Sequence, residues 1–254
     1  MELIPLRAQT IIAPGSSVLG HFLEALKKSG QALRSGDVVA IASKAVAVSE
    51  GRIRLLETFK PTPQALRLAK RYSISPQFAQ AVSSEADEIY GGVNGALLTL
   101  RKGEAVANAG IDQKNAPKGS VVLWPSNPDE SARKIRKSLE RRYRRRIGVI
   151  IVDSRVTPMR LGTVGMALGS SGIETVTDIR GKPDLYRRKA RITLHAVADD
   201  AASAAHFVMG EGAERVPFVI LRNAPVQLSA HGRTPRMTAA DCLYMSQVIR
   251  KQRR

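Results

Sequence analysis

Between Gly148 and Asp153 the chain runs through four apolar β-formers, Val149-Ile-Ile-Val152, without alternation. Such a run predicts a strand buried on both faces. Val38-Val-Ala-Ile-Ala42 repeats the pattern, and Ser120-Val-Val-Leu-Trp124 and Val216-Pro-Phe-Val-Ile-Leu221 are further short apolar runs. Ala96-Leu-Leu-Thr-Leu100 and Ala105-Val-Ala107 flank Lys102-Gly103 and predict a hairpin. Arg191-Ile-Thr-Leu-His-Ala-Val197 alternates as a half-buried strand would, and residues 1–14 predict a short strand and a turn closing at Pro14-Gly15. Helical spacing takes over elsewhere. Ser16-Ser17 caps a helix to about Lys28, with Leu19, Phe22, Leu23 and Leu26 on one face. Thr62 or Pro63 opens a helix to about Tyr72, and Ser75-Pro76 opens one through Glu88 that Gly91-Gly92 breaks. Asp199 or Asp200 caps an Ala-rich helix to Met209, stopped at Gly210-Glu-Gly212, and Thr238 to about Gln252 predicts the last helix.

One helix differs from the rest. Ser126-Asn-Pro-Asp-Glu130 holds a cap, a first-turn proline and acids beside the positive end of the dipole, and the helix should reach about Arg145. Its apolar stripe is narrow: Ile135, Leu139 and Tyr143. Its other faces carry Arg133, Lys134, Arg136, Lys137, Arg141, Arg142, Arg144, Arg145 and Arg146. That face can be a solvated surface, a polyanion contact or a recognition helix. No repeat, low-complexity tract or clear linker divides the chain, so a single unit over 1–254 is expected, with the nearest thing to a boundary at 124–146.

The composition bounds the rest. A chain of 254 residues with 43% hydrophobic content can bury a sizeable core. A single cysteine, Cys242, excludes an intramolecular disulfide and a cysteine metal cage, and fits a reducing compartment. No signal peptide or membrane span is legible, so a cytoplasmic protein is expected. The formal charge of +18 points to nucleic acid, an anionic membrane surface or anionic small substrates. Aromatic residues are only 4% of the chain, which leaves little to stack on exposed bases and makes nucleic acid the weaker partner.

The sequence has no G-x-x-x-x-G-K-[ST], G-x-G-x-x-G, H-E-x-x-H or G-x-S-x-G. This argues against P-loop NTPases, Rossmann dehydrogenases, zincins and α/β-hydrolases. Three carboxylates at element ends beside glycines remain: Asp112, closing Asn108-Ala-Gly-Ile-Asp112, where Asn-Ala-Gly is either part of a strand or simply a turn; Asp153, after the buried run; and Glu211, in a Gly-flanked turn. With Ser154 they form an oxygen-only set suited to Mg2+ or Mn2+, which bind through few carboxylates and share phosphates with them. An ordinary Asp turn at the strand end is the simpler reading of Asp153. Ser43-Lys44, closing the strand 38–42, is a phosphate contact or a surface pair. In Leu161–Gly172 the glycines 162, 165, 169 and 172 let a backbone approach something closely. Gly181-Lys-Pro-Asp-Leu-Tyr186 reads as a loop able to face a ligand, whereas His195 among apolar neighbours reads as structural.

In their order and spacing, Asn108-Ala-Gly-Ile-Asp112, Gly148-Val-Ile-Ile-Val-Asp-Ser154, Gly181-Lys-Pro-Asp-Leu-Tyr186 and Met209-Gly-Glu-Gly212, preceded by Gly36-Asp-Val-Val39 and Ser49-Glu-Gly-Arg52, resemble the coenzyme F420-0:L-glutamate ligase family. The resemblance covers about residues 3–250. It implies an α+β fold of the family's own type, with a mixed and antiparallel sheet, assembled as an intertwined homodimer. It implies GTP-dependent addition of L-glutamate to the F420-0 precursor through an acyl phosphate, then γ-linked addition of further glutamates. Two divalent metals, Mn2+ or Mg2+, are implied, and a monovalent cation is a further candidate. The implied metal positions are Asp112, Asp153, Ser154 (usually Thr) and Glu211, with Asp112 and Asp153 also catalytic. The implied nucleotide contacts are Ser43, Lys44, Asn115, Met209, Gly210 and Gly212.

This chain departs from the family pattern twice. Many members carry a second Ser-Lys pair where this chain has Ala47-Val48, and commonly Asn-Gly-Arg follows the aspartate where it has Arg155-Val-Thr-Pro-Met-Arg160. Two other classes stay open from the residues alone: a metal-dependent nucleotide phosphohydrolase, and a basic nucleic-acid-binding protein using the helix at 129–146.

Overall fold

The computed structural model describes residues 1–230, 232 and 234–252. In chain order the elements are β1 (Glu2–Leu6), α1 (Val18–Lys28), β2 (Val38–Ala42), α2 (Ser43–Ser49), β3 (Ile53–Leu55), α3 (Pro63–Tyr72), α4 (Pro76–Glu85), β4 (Glu88–Val93), β5 (Ala96–Arg101), β6 (Glu104–Ala107), β7 (Ser120–Val122), α5 (Pro128–Tyr143), β8 (Gly148–Val156), β9 (Thr163–Ser171), β10 (Thr177–Asp178), β11 (Leu194–His195), α6 (Val197–Met209), β12 (Phe218–Arg222) and α7 (Met245–Gln252). The fold is α+β with mixed and antiparallel sheets. It divides into two compact units: Met1–Glu50, Pro125–Thr157 and Leu161–Pro235 form the first, and Gly51–Trp124, Pro158–Arg160 and Arg236–Arg254 the second. No helix among the described residues is long and apolar enough to cross a membrane.

The first unit is built on a five-stranded sheet of order β1-β12-β2-β8-β9. Only β2 and β8 run parallel; every other neighbouring pair is antiparallel. Successive residues of a strand face opposite sides, and here both sides are covered, which is why β2 and β8 read as unbroken apolar runs. Val39, Ile41, Val149 and Ile151 pack with Phe22 and Leu26 of α1 and with Ile135 and Leu139 of α5. Val38, Ala40, Ile150 and Val152 pack with Ala198, Ala202 and Ala205 of α6. Full burial of a side chain of this size contributes about 1.5–3 kcal/mol. The helix starts are set by short polar side chains: Ser17 accepts from Gly20 N–H at 3.1 Å and Asn127 accepts from Glu130 N–H at 3.2 Å.

The glycine-rich stretch is not a ligand loop. It is strand β9, and what its glycines admit is the protein's own helices. A Cβ on Gly165 would lie 2.5 Å from the Ala202 carbonyl oxygen of α6, and one on Gly169 would lie 2.4 Å from the Pro128 carbonyl carbon of α5. The strand also carries a bulge, since Ile151 pairs with Gly169 but Val152 pairs with Ala167. The Ala167 N–H goes instead to Asp199 Oδ1 at 2.9 Å. Because backbone rather than a flexible side chain meets the added methyl, Gly169→Ala should cost about 1–3 kcal/mol. It should appear as a lower urea midpoint with an unchanged slope.

The second unit holds the antiparallel sheet β4-β5-β6, the pair β3-β7, and helices α3 and α4. The expected helix through Glu88 ends earlier, at Glu85, and Gly91-Gly92 lies inside strand β4 rather than in a break. The hairpin requires both glycines. Gly91 adopts φ +126° beside a bulge, and a Cβ on Gly92 would sit 2.2 Å from the Ala96 carbonyl oxygen. Three other expectations are corrected. The strand at Arg191–Val197 shrinks to Leu194–His195 because neither of its faces meets a core; His195 is exposed and bonds Asp200 at 2.6 Å. Helix α6 starts at Val197 with no side-chain cap, and α7 starts at Met245 rather than Thr238.

Candidate active site

The parallel pairing of β2 with β8 decides where the first unit gathers polar chemistry. Ala42 lies in register with Val152; β2 stops there, while β8 runs on to Val156. Ser43 and Lys44 follow one strand and Asp153 and Ser154 continue the other. In open sheets the carboxyl ends of parallel strands are where ligands sit. Asp153 and Ser154 are half-buried, as is Lys44, while Ser43 is buried at the start of α2. Asp153 Oδ1 accepts from the Ser154 N–H at 2.9 Å.

Glu211 reaches the same end of the sheet by another route. Gly210, with φ +74°, stops α6 and turns the chain. Glu211 Oε1 then accepts from Thr163 Oγ1 at 2.8 Å and is hydrogen-bonded to His206 Nε2 at 2.8 Å. Thr163 opens β9 opposite Val156, so this anchor lies three residues beyond Asp153, about 10 Å along the strand. The Gly212 N–H donates to Glu214 Oε2 at 2.7 Å, which closes the turn. Met209 turns its side chain into the core on the α6 face, leaving only its backbone beside this turn.

Asp112 and Asn115 belong to the second unit, behind an unusual backbone. Of the two readings of 108–112 the turn holds: Asn108, Ala109 and Gly110 are all left-handed, at φ 53°, 52° and 67°. Each of the two residues with a Cβ costs about 1–2 kcal/mol in that region. The surroundings hold it there. Asn108 Oδ1 accepts from Leu97 N–H at 2.8 Å, Ala109 N–H donates to buried Thr99 Oγ1 at 2.9 Å, and the buried Arg101 guanidinium donates to the Ala109 carbonyl at 2.7 Å. Gly110 lies flat against the Trp124 indole, where a Cβ would come within 2.1 Å of the ring. Burial pulls the Arg101 guanidinium below its ordinary pKa, while its ion pair with Glu85 opposes the shift. Pairing resumes at Asp112 opposite Val122, and Asp112 Oδ1 accepts from Lys114 N–H at 2.7 Å. Strain of this kind concentrates where a side chain must be held in place.

Among the described residues no group of three or more His, Cys, Asp and Glu side chains is gathered to hold a metal ion. An all-protein cage is therefore not formed. The oxygen-only donors are still of the type that suits a hard cation completing its shell with water and phosphate.

Some contacts at the sheet end were not legible in the sequence. Asp199 does not cap α6; it accepts from Ala167 N–H and faces Arg155 Nη2 at 3.5 Å. His206 and Thr163 hold Glu211, though nothing in their spacing announces it. The departure at Ala47-Val48 also has a physical account: both side chains are buried in α2 and fill core rather than reach a ligand.

The chain matches the F420-0:Gamma-glutamyl ligase family over residues 7–223. It is 38% identical over 226 residues to the coenzyme F420:L-glutamate ligase of Methanothermobacter thermautotrophicus, covering 89% of this chain and 90% of that one. The protein of the same description from Methanopyrus kandleri is 38% identical over 229 residues, covering 90% and 88%. That of Methanocaldococcus jannaschii is 41% identical over 195 residues, covering 76% and 78%.

Proposed function

The chain belongs to the F420-0:gamma-glutamyl ligase family and is a coenzyme F420:L-glutamate ligase, and we propose that it drives amide formation with GTP through an acyl phosphate. In this reading the precursor carboxylate attacks the γ-phosphorus of GTP and GDP departs. The amino nitrogen of L-glutamate then attacks the acyl carbon, phosphate leaves, and the nitrogen gives up its proton. Later rounds activate a side-chain carboxylate and build γ-links.

The observation that carries the reading is the shared edge of β2 and β8, which sets Ser43-Lys44 beside Asp153-Ser154. Lys44 and Ser43 would hold phosphate oxygens, with Asn115 and the backbone of Met209, Gly210 and Gly212 as further nucleotide contacts. Asp112, Asp153, Ser154 and Glu211 would hold divalent cations, Mg2+ or Mn2+. Such cations neutralise phosphate charge, so that a carboxylate can approach it. Arg155 adds a cation beside Asp153, tethered by Asp199. The assembly proposed is a homodimer, supported by exposed apolar side chains on the segment after β10: Leu185 at 98%, Tyr186 at 79% and Ile192 at 87%.

The test is mass spectrometry of the deazaflavin precursor after incubation with the protein, L-glutamate, GTP and Mn2+. Species heavier by whole glutamyl residues are expected; they should vanish on chelation with EDTA and return with added Mn2+. GTP consumption without a mass change would replace the ligase mechanism with phosphohydrolysis. Product formed without nucleotide would remove the acyl phosphate.

A further inference from the structure

At the end of β8 away from Asp153 the first unit has a half-open concave space of about 310 Å³. Its lining includes Arg136, Glu140, Arg144, Arg145, Arg146 and Ser229. Four guanidiniums against one carboxylate leave a local charge of 4 − 1 = +3. Glu140 is already occupied, accepting from Ile147 N–H at 3.4 Å and pairing with Arg136 Nη1 at 3.4 Å. Arg136 is fixed as well: its Nε donates to Ser171 Oγ at 3.0 Å, and only 14% of its side chain is exposed. Gly172 makes room for it, since a Cβ there would lie 2.5 Å from Arg136 Cδ.

Arg144, Arg145 and Arg146 form no ion pair among the described residues. Guanidiniums in the last turn of a helix commonly do no more than answer the dipole. These three lie past that turn. Arg144 takes the left-handed cap conformation, φ 52°, and the chain then turns away from the helix into β8. The three are solvent-exposed at the mouth of the space, where their like charges repel one another and an oxyanion is the group that relieves this. Guanidiniums bind planar or tetrahedral oxyanions by paired hydrogen bonds. The space has the volume of a small-molecule site and is too small for a nucleic-acid duplex.

We propose that this pocket is a binding site for a small polyanion bearing phosphate or carboxylate groups, separate from the catalytic edge of the sheet. Gly148 and Asp153 stand five residues apart on β8, about 17 Å. The site is independent of the nucleotide and metal assignments above.

Isothermal titration of the intact protein with inorganic pyrophosphate and, separately, with citrate tests the site and distinguishes phosphate from carboxylate as the preferred group. Saturable binding near one per chain is expected, absent with sodium chloride at matched ionic strength. It should weaken by about tenfold or more in the combined variant Arg144→Ala, Arg145→Ala, Arg146→Ala. The corresponding three-lysine variant, which keeps the charge and loses the fork, should fall between. Ligation by either variant should keep its KM for the precursor. Binding that survives the alanine variant but disappears in Lys44→Ala would assign the anion to the catalytic edge and overturn the proposal. So would non-saturating binding, a raised KM, or a DNA duplex that outcompetes pyrophosphate.

Discussion

An Asp153→Asn protein is expected to fold normally and to form no glutamyl product. The stability half of this expectation comes from the position of the side chain. Asp153 lies just past the core run and is half-buried, and its Oδ1 accepts from the Ser154 N–H at 2.9 Å. An asparagine keeps that oxygen and the volume and opens no cavity, so the fold should be retained. The activity half comes from charge. The proposed reaction brings a carboxylate to a triphosphate, and a neutral amide cannot hold the cation that makes this approach possible. Loss of one preorganised electrostatic contact typically costs about 10²–10³ in kcat, and loss of a cation ligand should reach at least that range. Product mass spectrometry for rate and a thermal midpoint for stability separate the two halves. A variant that ligates at the wild-type rate would remove Asp153 from the site; one that unfolds would make the carboxylate structural.

The parts of this protein that were legible in the sequence are those in which local chemistry and tertiary structure agree. Ser17, Thr62 and Ser75 sit at helix starts and do cap them. Val38–Ala42 and Val149–Val152 read as buried strands because both sheet faces are covered. Asp112 and Glu211 could be singled out because a charge beside glycine in a turn is conspicuous; Asp153, expected at a strand end, lies inside β8, opposite Met166. What could not be read was what the glycines admit. In β9 they admit α5 and α6, in β4 the tight turn of a hairpin, and at Gly110 a tryptophan ring. A glycine records that something is close and not what it is. The choice between strand and turn at 108–112 could not be settled for the same reason. Asn108-Ala-Gly110 has no strand-breaking residue before its glycine, and its left-handed turn is imposed by Thr99, Leu97 and Arg101 on a neighbouring strand. Each of the two units is assembled from discontinuous segments: the join at Trp124–Pro125 falls where proline and charge begin to cluster, whereas the join at Glu50–Gly51 carries no such compositional change.

Asp37→Ala should show the opposite phenotype to Asp153→Asn, a large loss of stability from a residue distant from the chemistry. Asp37 and Arg222 are 1% and 3% exposed and face each other bidentately, with Arg222 Nε to Oδ1 at 3.1 Å and Nη2 to Oδ2 at 3.0 Å. Arg222 ends β12 and Asp37 precedes β2, so the pair fastens the two strands at the edge away from Ser43. The remaining capacity of the pair is also used: Arg222 Nη2 donates to the Ala32 carbonyl at 2.7 Å, and Asp37 Oδ2 accepts from Arg34 N–H at 2.8 Å. The hydrogen bonds that Arg222 donates to Asp37 raise its pKa above its ordinary value, so the guanidinium stays charged throughout the accessible pH range. Removing the aspartate therefore leaves a buried, uncompensated cation, and breaking such a pair costs about 3–5 kcal/mol. Against a total stability of about 5–15 kcal/mol, this is enough to shift the urea midpoint severely. The double variant Asp37→Leu, Arg222→Met removes the charge along with its partner and should recover most of the loss, since an apolar pair of similar volume is often neutral. If Asp37→Ala alone were as stable as the wild type, water would have to reach Arg222, and the closed edge between β12 and β2 would be wrong.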